Sequence, residues 1–394
     1  MTHIQIPSSK SDAHRALICA TLSKKPCHVY YDGTSKDIQA TESCLRALRD
    51  GKADMYCGES GSTLRFLLPV MGALGRKAAF YGEGRLPMRP LSPLYEELEA
   101  HGCRLSVQGE VPLTIGGQLT AGTYCLPGNV SSQYISGLLF ALPLLDGDSQ
   151  IVLTSPLESA PYVEMTIRTL QDFGIKIHRN EKGFTVPGNQ TYIAPETYIV
   201  EGDWSNACFF LVAGALTEEG ITVKGLNLDS LQGDKVILDI LRQFGAKVTM
   251  EADTVIVKPG PLKAAQLNAS QIPDMVPVLS VLALAAEGKT EIRNAARLRI
   301  KESDRLAAIT QTLTSLGADI KELPDSLVIT GKGRLHGGTI DTHNDHRIAM
   351  MAAVASLICD GKVTIQNADA VNKSYPDFFD VWKEAGLDSN IERK

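Results

Sequence analysis

No two cysteines in this chain are spaced as CxxC. The eight, at Cys19, Cys27, Cys44, Cys57, Cys103, Cys125, Cys208 and Cys359, are scattered over 394 residues. That excludes a zinc ribbon or a thioredoxin-type motif, and free thiols in a reducing cytoplasm are the simplest reading. Positive charge is not in excess: 39 Lys and Arg stand against 45 Asp and Glu, a net charge of −6. A general nucleic-acid binder, with its basic footprint, is therefore not expected, although a local basic cleft remains open. No apolar run reaches the ~20 residues of a membrane crossing. The longest, such as Met275 to Ala286, read as buried core helices. The start, MTHIQIPSSK, lacks the apolar run of a signal peptide. His343 and His346 in THNDHR have no evident third ligand, HExxH and HxxEH are absent, and no metal is expected. GxSxG is absent, which gives serine hydrolase chemistry little support. GEGRLP and GSTLR are too short for Walker or dinucleotide fingerprints.

What the chain does have is a hydrophobic content of 44%, enough for a large core divided over two or three domains. It also has a repeat. Six segments read as amphipathic helices ending in glycine: CLRALRDGKADM, LYEELEAHGCRLSV, IRTLQDFGIKI, LDILRQFGAKVTM, ITQTLTSLGADI and FDVWKEAGLD. Their glycines, Gly51, Gly102, Gly174, Gly245, Gly317 and Gly386, are 51, 72, 71, 72 and 69 residues apart. Each stands where a helix needs a residue tolerant of positive φ to stop. Between them lies a second series, almost wholly apolar with polar starts, such as SGSTLRFLLPVMGAL and NDHRIAMMAAVASLICDG. Five of its members have glycines in similar register, Gly75, Gly147, Gly220, Gly288 and Gly361. Helices apolar on all faces belong in an interior. Short runs such as KVTM, TVIVKP, SLVITG and KVTIQN read as strands. The unit has about seventy residues, with two helices and several strands, and the first is about twenty residues short. An ordinary doubly wound α/β sheet is the alternative.

The polar starts of the apolar helices share one chemistry: Lys10-Ser11, Ser60-Gly61-Ser62, Ser131-Ser132-Gln133, Asp203-Trp204-Ser205, Asp274 and Asn344-Asp345. N-capping alone explains much of it. It does not explain Arg15, Arg65 and Arg347, one turn in, where the positive end of the helix dipole disfavours a cation. Any one of them reads as a surface or ion-pair residue; three at matching positions point to an anion in front of the helix. Further cations are Arg85 and Arg89 in GEGRLPMRP, Arg297, Arg299, Lys301 and Arg305 in RLRIKESDR, and Lys373 in VNKSYPDFF. KESDR fits a solvated helix face with local charge pairs, or a cleft in which Glu302 titrates usefully.

PSSKSDAHR, GESGSTLR, RPLSPL, VSSQY, IKESDR, NDHRIAM and KSYPDFF, in this order, resemble the 3-phosphoshikimate 1-carboxyvinyltransferase (enolpyruvylshikimate-phosphate synthase) family over nearly the whole chain. The resemblance implies an α/β protein with the two-domain enolpyruvyl-transferase fold, an inside-out α/β barrel with three βαβαββ units per domain, here with the first unit shortened. The expected domains are 9–203 (upper) and 1–8 plus 204–394 (lower), with the active site in the cleft between them. The implied reaction moves the enolpyruvyl group of phosphoenolpyruvate onto the 5-hydroxyl of shikimate 3-phosphate by addition and elimination of phosphate, in the shikimate pathway to chorismate and the aromatic amino acids. No cofactor or metal is implied. The expected partners are the two small-molecule substrates, with no nucleic acid and no membrane, and the expected state is a cytoplasmic monomer.

The resemblance also implies the site. Lys10 matches the lysine that lies between both substrates. Ser11, Arg15, Ser131, Ser132, Ser159 and Lys301 match shikimate 3-phosphate ligands, and Gln133 matches a glutamine that reaches both substrates. Asp274 matches the carboxylate that binds the shikimate hydroxyls and accepts the 5-OH proton, and Glu302 the residue proposed to protonate C3. Arg89, Arg305, Arg347 and Lys373 match the phosphoenolpyruvate clamp, with Gly61 a small residue beside that ligand. Lys10, Lys373, Asp274 and Glu302 form the expected catalytic set. The empty cleft is expected to be open, because Arg15, Arg65, Arg89, Arg305, Arg347 and Lys373 repel one another until anions arrive. The inhibitor glyphosate is expected to compete with phosphoenolpyruvate. The chain departs from the family pattern at Arg297 and Glu59 (commonly Asn), Ser62 (Thr), Ser8 (Gly) and Ala160 (Lys). One rival, enolpyruvyl transfer to UDP-N-acetylglucosamine, usually brings a cysteine in the loop here running Glu83 to Arg89, which has none. The other, a non-catalytic anion-binding paralogue, is expected to lose Asp274, Glu302 or Lys373.

Overall fold

Two kinds of α-helix alternate along the chain in the computed structural model, which describes residues 2–394. The polar-start series forms α1 (Lys10–Leu22), α3 (Gly61–Ala73), α5 (Ser132–Ala141), α7 (Trp204–Leu216), α9 (Val276–Ala285) and α11 (His346–Ser356). The glycine-ended series forms α2 (Lys36–Arg49), α4 (Leu94–Ala100), α6 (Ala160–Asp172), α8 (Ile237–Phe244), α10 (Arg305–Ser315) and α12 (Phe378–Glu384). The six stop glycines have φ between 69° and 103°. At Gly245 the reason is visible. Its N–H closes α8 on the carbonyls of Leu241 and Arg242 from a left-handed backbone that a side chain would strain. In the second series Gly361 is the exception, without a positive φ.

The helices and strands form two units, Lys10–Val200 and Met1–Ser9 with Glu201–Lys394. Each unit has three open sheets, and none of the six closes into a barrel of strands among the described residues. Four sheets share one plan. A first strand lies parallel to a second across a buried helix, an amphipathic helix follows, and a hairpin returns so that its last strand lies antiparallel to the second. The first unit carries this plan in Asp54–Gly58, Ala78–Gly82, Leu113–Gly117 and Cys103–Leu105, and again in Thr123–Leu126, Ser149–Leu153, Gly183–Val186 and His178–Asn180. The other unit carries it in Thr2–Gln5, Ile221–Lys224, Thr254–Lys258 and Lys247–Glu251, and in Gln266–Asn268, Lys289–Arg293, Leu327–Thr330 and Asp319–Glu322.

The two remaining sheets are incomplete. The shortened first repeat has only His28–Tyr30 beside Thr197–Ile199, so the residues missing from the glycine spacing are those of its hairpin. The last repeat, which the sequence reading took as complete, also differs from the full plan. Its strands Gly338–Asp341, Val363–Gln366 and Ile391–Arg393 are all parallel, with a single strand where the others have a hairpin.

Each unit has its own core. In Glu201–Lys394, α7, α9 and α11 pack on one another, and every residue of α7 except Leu216 is buried. Phe210 of α7 meets Tyr375, Phe378 and Trp382 at ring distances of 5.4–6.2 Å. Burying a side chain of that size contributes about 1.5–3 kcal/mol, which is why a helix apolar all round is stable only here. In Lys10–Val200, α3 and α5 pack on each other along much of their length. Pro69 lies inside α3 and supplies no N–H to the carbonyl of Arg65 four residues back. Gly137 of α5 packs against that carbonyl, where a Cβ would come within 2.3 Å of the oxygen. One turn earlier on α5, Gln133 is thereby brought to the side chains of α3.

Candidate active site

Four of the six polar helix starts carry N-caps, as the sequence suggests. The side chains of Ser60, Ser131, Asp203 and Asp345 accept hydrogen bonds from the N–H groups of Thr63, Gln133, Asn206 and Arg347 at 2.8–3.3 Å. Asp274 is different. It sits in a short 3-10 turn, Pro273–Met275, ahead of α9, and is not the N-cap residue of that helix. Its Oδ1 instead accepts from Arg305 Nη1 at 2.7 Å and from Lys301 Nζ at 3.5 Å.

Arg305 is the centre of that cluster. It is 1% exposed. Its Nε and Nη2 grip Asp345 at 2.8 and 3.2 Å, Nη1 reaches Asp274, and Nη2 also meets Glu302 at 2.9 Å. Ser303 Oγ adds a bond to Asp345 at 2.9 Å. Burial alone would lower the Arg305 pKa, but Asp345, Glu302 and Asp274 raise it above its ordinary value. Partial burial pushes Asp274 up, yet Lys301, Arg305 and Arg347 together hold it well below the usual carboxylate range. Lys301 is lowered, by burial first. Arg347, 4% exposed, donates to the Ser205 carbonyl at 2.9 Å and lies over the Phe209 ring at 5.7 Å. Its buried Nε has no hydrogen-bond partner among the described residues. Lys373, 6% exposed, ends the 3-10 turn Ala368–Lys373.

Arg305 is therefore not one of a set of mutually repelling cations: three carboxylates surround it. Arg15 also departs from that expectation. It is buried and staples α1 to α6, donating to Thr166 Oγ1 at 2.9 Å, the Tyr162 carbonyl at 2.8 Å and the Ser11 carbonyl. Burial lowers its pKa to about 10.

In the unit Lys10–Val200, α3 and α5 build a second cationic site. Arg65 Nη1 donates to Gln133 Oε1 at 2.9 Å, and Gln133 Nε2 donates to Ser62 Oγ at 2.9 Å. A Cβ on Gly61 would stand 2.5 Å from Arg65 Nη1 and 3.1 Å from Arg89 Nη1. Two buried guanidinium groups thus converge on one helix N-terminus, the arrangement that an anion satisfies. At the start of α1, Lys10 Nζ holds Asp37 at 2.8 Å. Ser159, buried at the start of α6, has a left-handed backbone with φ 52°.

Backbone strain marks the site more widely. Seven described non-glycine residues have positive φ. Five of them, Ser159, Asn294, His343, Asn344 and Asn367, are a site candidate themselves or lie just ahead of a segment carrying one. Asn adopts this region readily, whereas for Ser159 it costs ~1–3 kcal/mol, the kind of strain found where function holds it. Arg297 donates to the Ser270 carbonyl at 2.7 Å.

Sequence reasoning missed Asp234. Its carboxylate is buried, accepts a hydrogen bond from Ser205 Oγ, and leaves Oδ1 without a partner among the described residues. Burial, with Asp274 nearby, raises its pKa from 3.8 to about 6. The folded protein therefore binds the proton more tightly than the unfolded chain. This stabilises the fold below about pH 4, and the effect is lost as pH rises through 6, a difference of the order of 3 kcal/mol. Asp234→Asn should raise the melting temperature by a few degrees at pH 7.5 and lose that advantage near pH 4.5. Equal melting curves at both pH values would remove the charged Asp234 as a source of instability.

The sequence model of the EPSP synthase (3-phosphoshikimate 1-carboxyvinyltransferase) family matches residues 1–54 and 49–382. The chain belongs to this family. Among EPSP synthase relatives, the 3-phosphoshikimate 1-carboxyvinyltransferase of Clostridium novyi (strain NT) is 44% identical, with 97% of this chain and 94% of that protein covered. That of Clostridium acetobutylicum is 45% identical over 98% and 95%. The solved EPSP synthase of Acinetobacter baumannii superposes with a TM-score of 0.80 at 27% identity, covering 98% of this chain and 95% of its own. The enolpyruvyl transferase NikO from Streptomyces tendae, at TM-score 0.78 and 18% identity over the same shares, speaks for the fold alone.

Proposed function

We infer that this chain is a transferase that moves the enolpyruvyl group of phosphoenolpyruvate to the 5-hydroxyl of shikimate 3-phosphate and releases phosphate. The observation that supports the chemistry best is the Asp274–Arg305–Lys301 cluster. It places an ionised carboxylate, able to take a hydroxyl proton, among cations able to hold the second anionic substrate. The 5-hydroxyl oxygen attacks C2 of phosphoenolpyruvate, its proton passes to Asp274, and C3 takes a proton. Phosphate then leaves C2 as C3 gives up a proton and the double bond reforms. Purified protein is expected to release phosphate only when both substrates are supplied. Folded protein that releases none at neutral pH, or that releases it from phosphoenolpyruvate alone, would overturn the assignment.

The residue roles are part of this proposal. Arg305, Arg347, Lys373, Arg89 and Lys10 hold phosphoenolpyruvate, with Gly61 leaving room beside it and Gln133 reaching both substrates. Ser11, Arg15, Ser131, Ser132, Ser159 and Lys301 hold shikimate 3-phosphate. Asp274 acts as base, and Glu302 with Lys10 and Lys373 handles the C3 proton. The convergence of Arg65 and Arg89 on Gly61 supports the anion site there. Gly61→Ala is expected to drive Arg65 Nη1 off Gln133 and to raise KM for phosphoenolpyruvate about ten-fold or more, the loss of one charge-assisted hydrogen bond. KM for shikimate 3-phosphate should move less; equal rises in the two would place Gly61 elsewhere. We further propose a cytoplasmic monomer. One chain carries the whole residue set, all eight cysteines are free thiols, and no described helix is long and apolar enough to cross a membrane.

A further inference from the structure

In the four complete sheets an antiparallel strand lies beside the second strand of the repeat. The second strand of the first repeat, His28–Tyr30, has Thr197–Ile199 on one edge and no strand on the other among the described residues. His28 N–H donates to the Glu196 carbonyl at 3.0 Å, and the Tyr30 carbonyl accepts from Val200 N–H at 2.9 Å. Alternation along a strand therefore puts the N–H and C=O of Val29 on the open edge. Beside that edge is a groove of about 330 Å³ whose apolar lining includes Leu17, Ala20, Val29 and Leu45. It lies where the missing hairpin would otherwise pack. An open strand edge over a groove of mixed apolar and polar lining is a template for a further strand, and proteins usually cover or charge such edges.

The groove also has a sign. Arg46 and Arg49 of α2 line it and are exposed, and their side chains make no ion pair among the described residues. Its one carboxylate, Glu42, is tied to Tyr31 Oη at 2.5 Å. On a chain with a net charge of −6, these two unpaired arginines favour an acidic occupant. They disfavour a second copy paired through the same edge, which would bring its own α2 and the same two charges with it.

We propose that an extended, acidic segment of another protein adds antiparallel to His28–Tyr30 as the strand the first repeat lacks. Its alternate apolar side chains fill the groove and its carboxylates meet Arg46 and Arg49. The probe is a synthetic peptide of about six residues, the usual strand length, alternating valine with aspartate. Amide chemical shifts of the full-length protein are followed during titration. Saturable shifts confined to Cys27–Tyr31 and to the groove face of α2 are expected. Arg46→Glu with Arg49→Glu should weaken binding about ten-fold, since two ion pairs are lost. The same pair of changes should create affinity for a valine–lysine peptide. Val29→Pro, which removes the edge N–H, should abolish binding of the aspartate peptide in the unaltered background and of the lysine peptide in the charge-reversed one. Absence of saturable shifts, or equal binding of the lysine peptide by the unaltered protein, would overturn the proposal. So would a concentration-dependent dimer in sedimentation velocity that disappears in Val29→Pro, because a second copy would then be the occupant.

Discussion

Asp274→Asn is expected to lower kcat by roughly 10²–10⁴, the usual worth of a positioned general base, while KM for phosphoenolpyruvate stays level or falls. The split follows from the cluster. Asp274 receives Arg305 Nη1 at 2.7 Å, and Lys301, Arg305 and Arg347 hold it well below the ordinary carboxylate pKa. In the empty site it is therefore ionised but a weak base. Phosphoenolpyruvate, seated against Arg305 and Arg347, would cancel part of the field that depresses it and raise its basicity as the second substrate arrives. Asparagine keeps the shape and removes the charge. Three cations then face one anion fewer, so affinity for an incoming anion is not lost while the proton acceptor is. Shikimate 3-phosphate should still bind, because its proposed phosphate ligands Ser131, Ser132 and Ser159 lie elsewhere in the chain. Steady-state kinetics with each substrate varied, together with calorimetric binding of shikimate 3-phosphate, gives the test. A kcat within ten-fold of the unaltered protein would take the base role away from Asp274. A large rise in KM with kcat unchanged would make Asp274 a structural anchor for Arg305.

The repeat was legible because glycine at a helix stop answers to backbone geometry alone. Gly51, Gly102, Gly174, Gly245, Gly317 and Gly386 all proved left-handed. The short first repeat was legible in the same spacing; the single strand of the last was not, since Ile391–Arg393 lies beyond the final glycine. Strand partners far apart in sequence left no local mark. Nothing in Thr2–Gln5 announces Ile221–Lys224, nor Thr197–Ile199 the strand His28–Tyr30. At the site, the cations were visible as misplaced charges at helix starts, but their partners were not. Nothing in the sequence announces that Arg15 also donates to Thr166 and to the Tyr162 carbonyl of α6. Asp345 was visible only as a cap, although it also holds Arg305. Asp234 and Asp37 had no mark at all: among 45 acidic residues, burial is what distinguishes them, and burial is a property of the packed chain.

Asp345→Ala is expected to cost about 3–5 kcal/mol of stability, because Arg305 would be left as a buried charge without its principal partner. Loss of the α11 N-cap adds about 1 kcal/mol. Asp345 is fully buried and meets four donors: Arg305 Nε and Nη2, Ser303 Oγ and the Arg347 N–H. Asp345→Asn separates the two contributions. Asparagine is as good a cap as aspartate, so what it fails to restore belongs to the charge. The tryptophans report the right region, since the chain has two, Trp204 and Trp382, and both lie in the unit that carries Asp345. Urea melts followed by their emission should place the Asn variant between Ala and the unaltered protein. Inorganic phosphate, by occupying the uncompensated arginine, should recover stability in the Ala variant more than in the unaltered protein. If Ala and Asn melt together within about 1 kcal/mol of the unaltered protein, Arg305 is balanced by Asp274 and Glu302 alone. Asp345 would then serve α11 only as its cap.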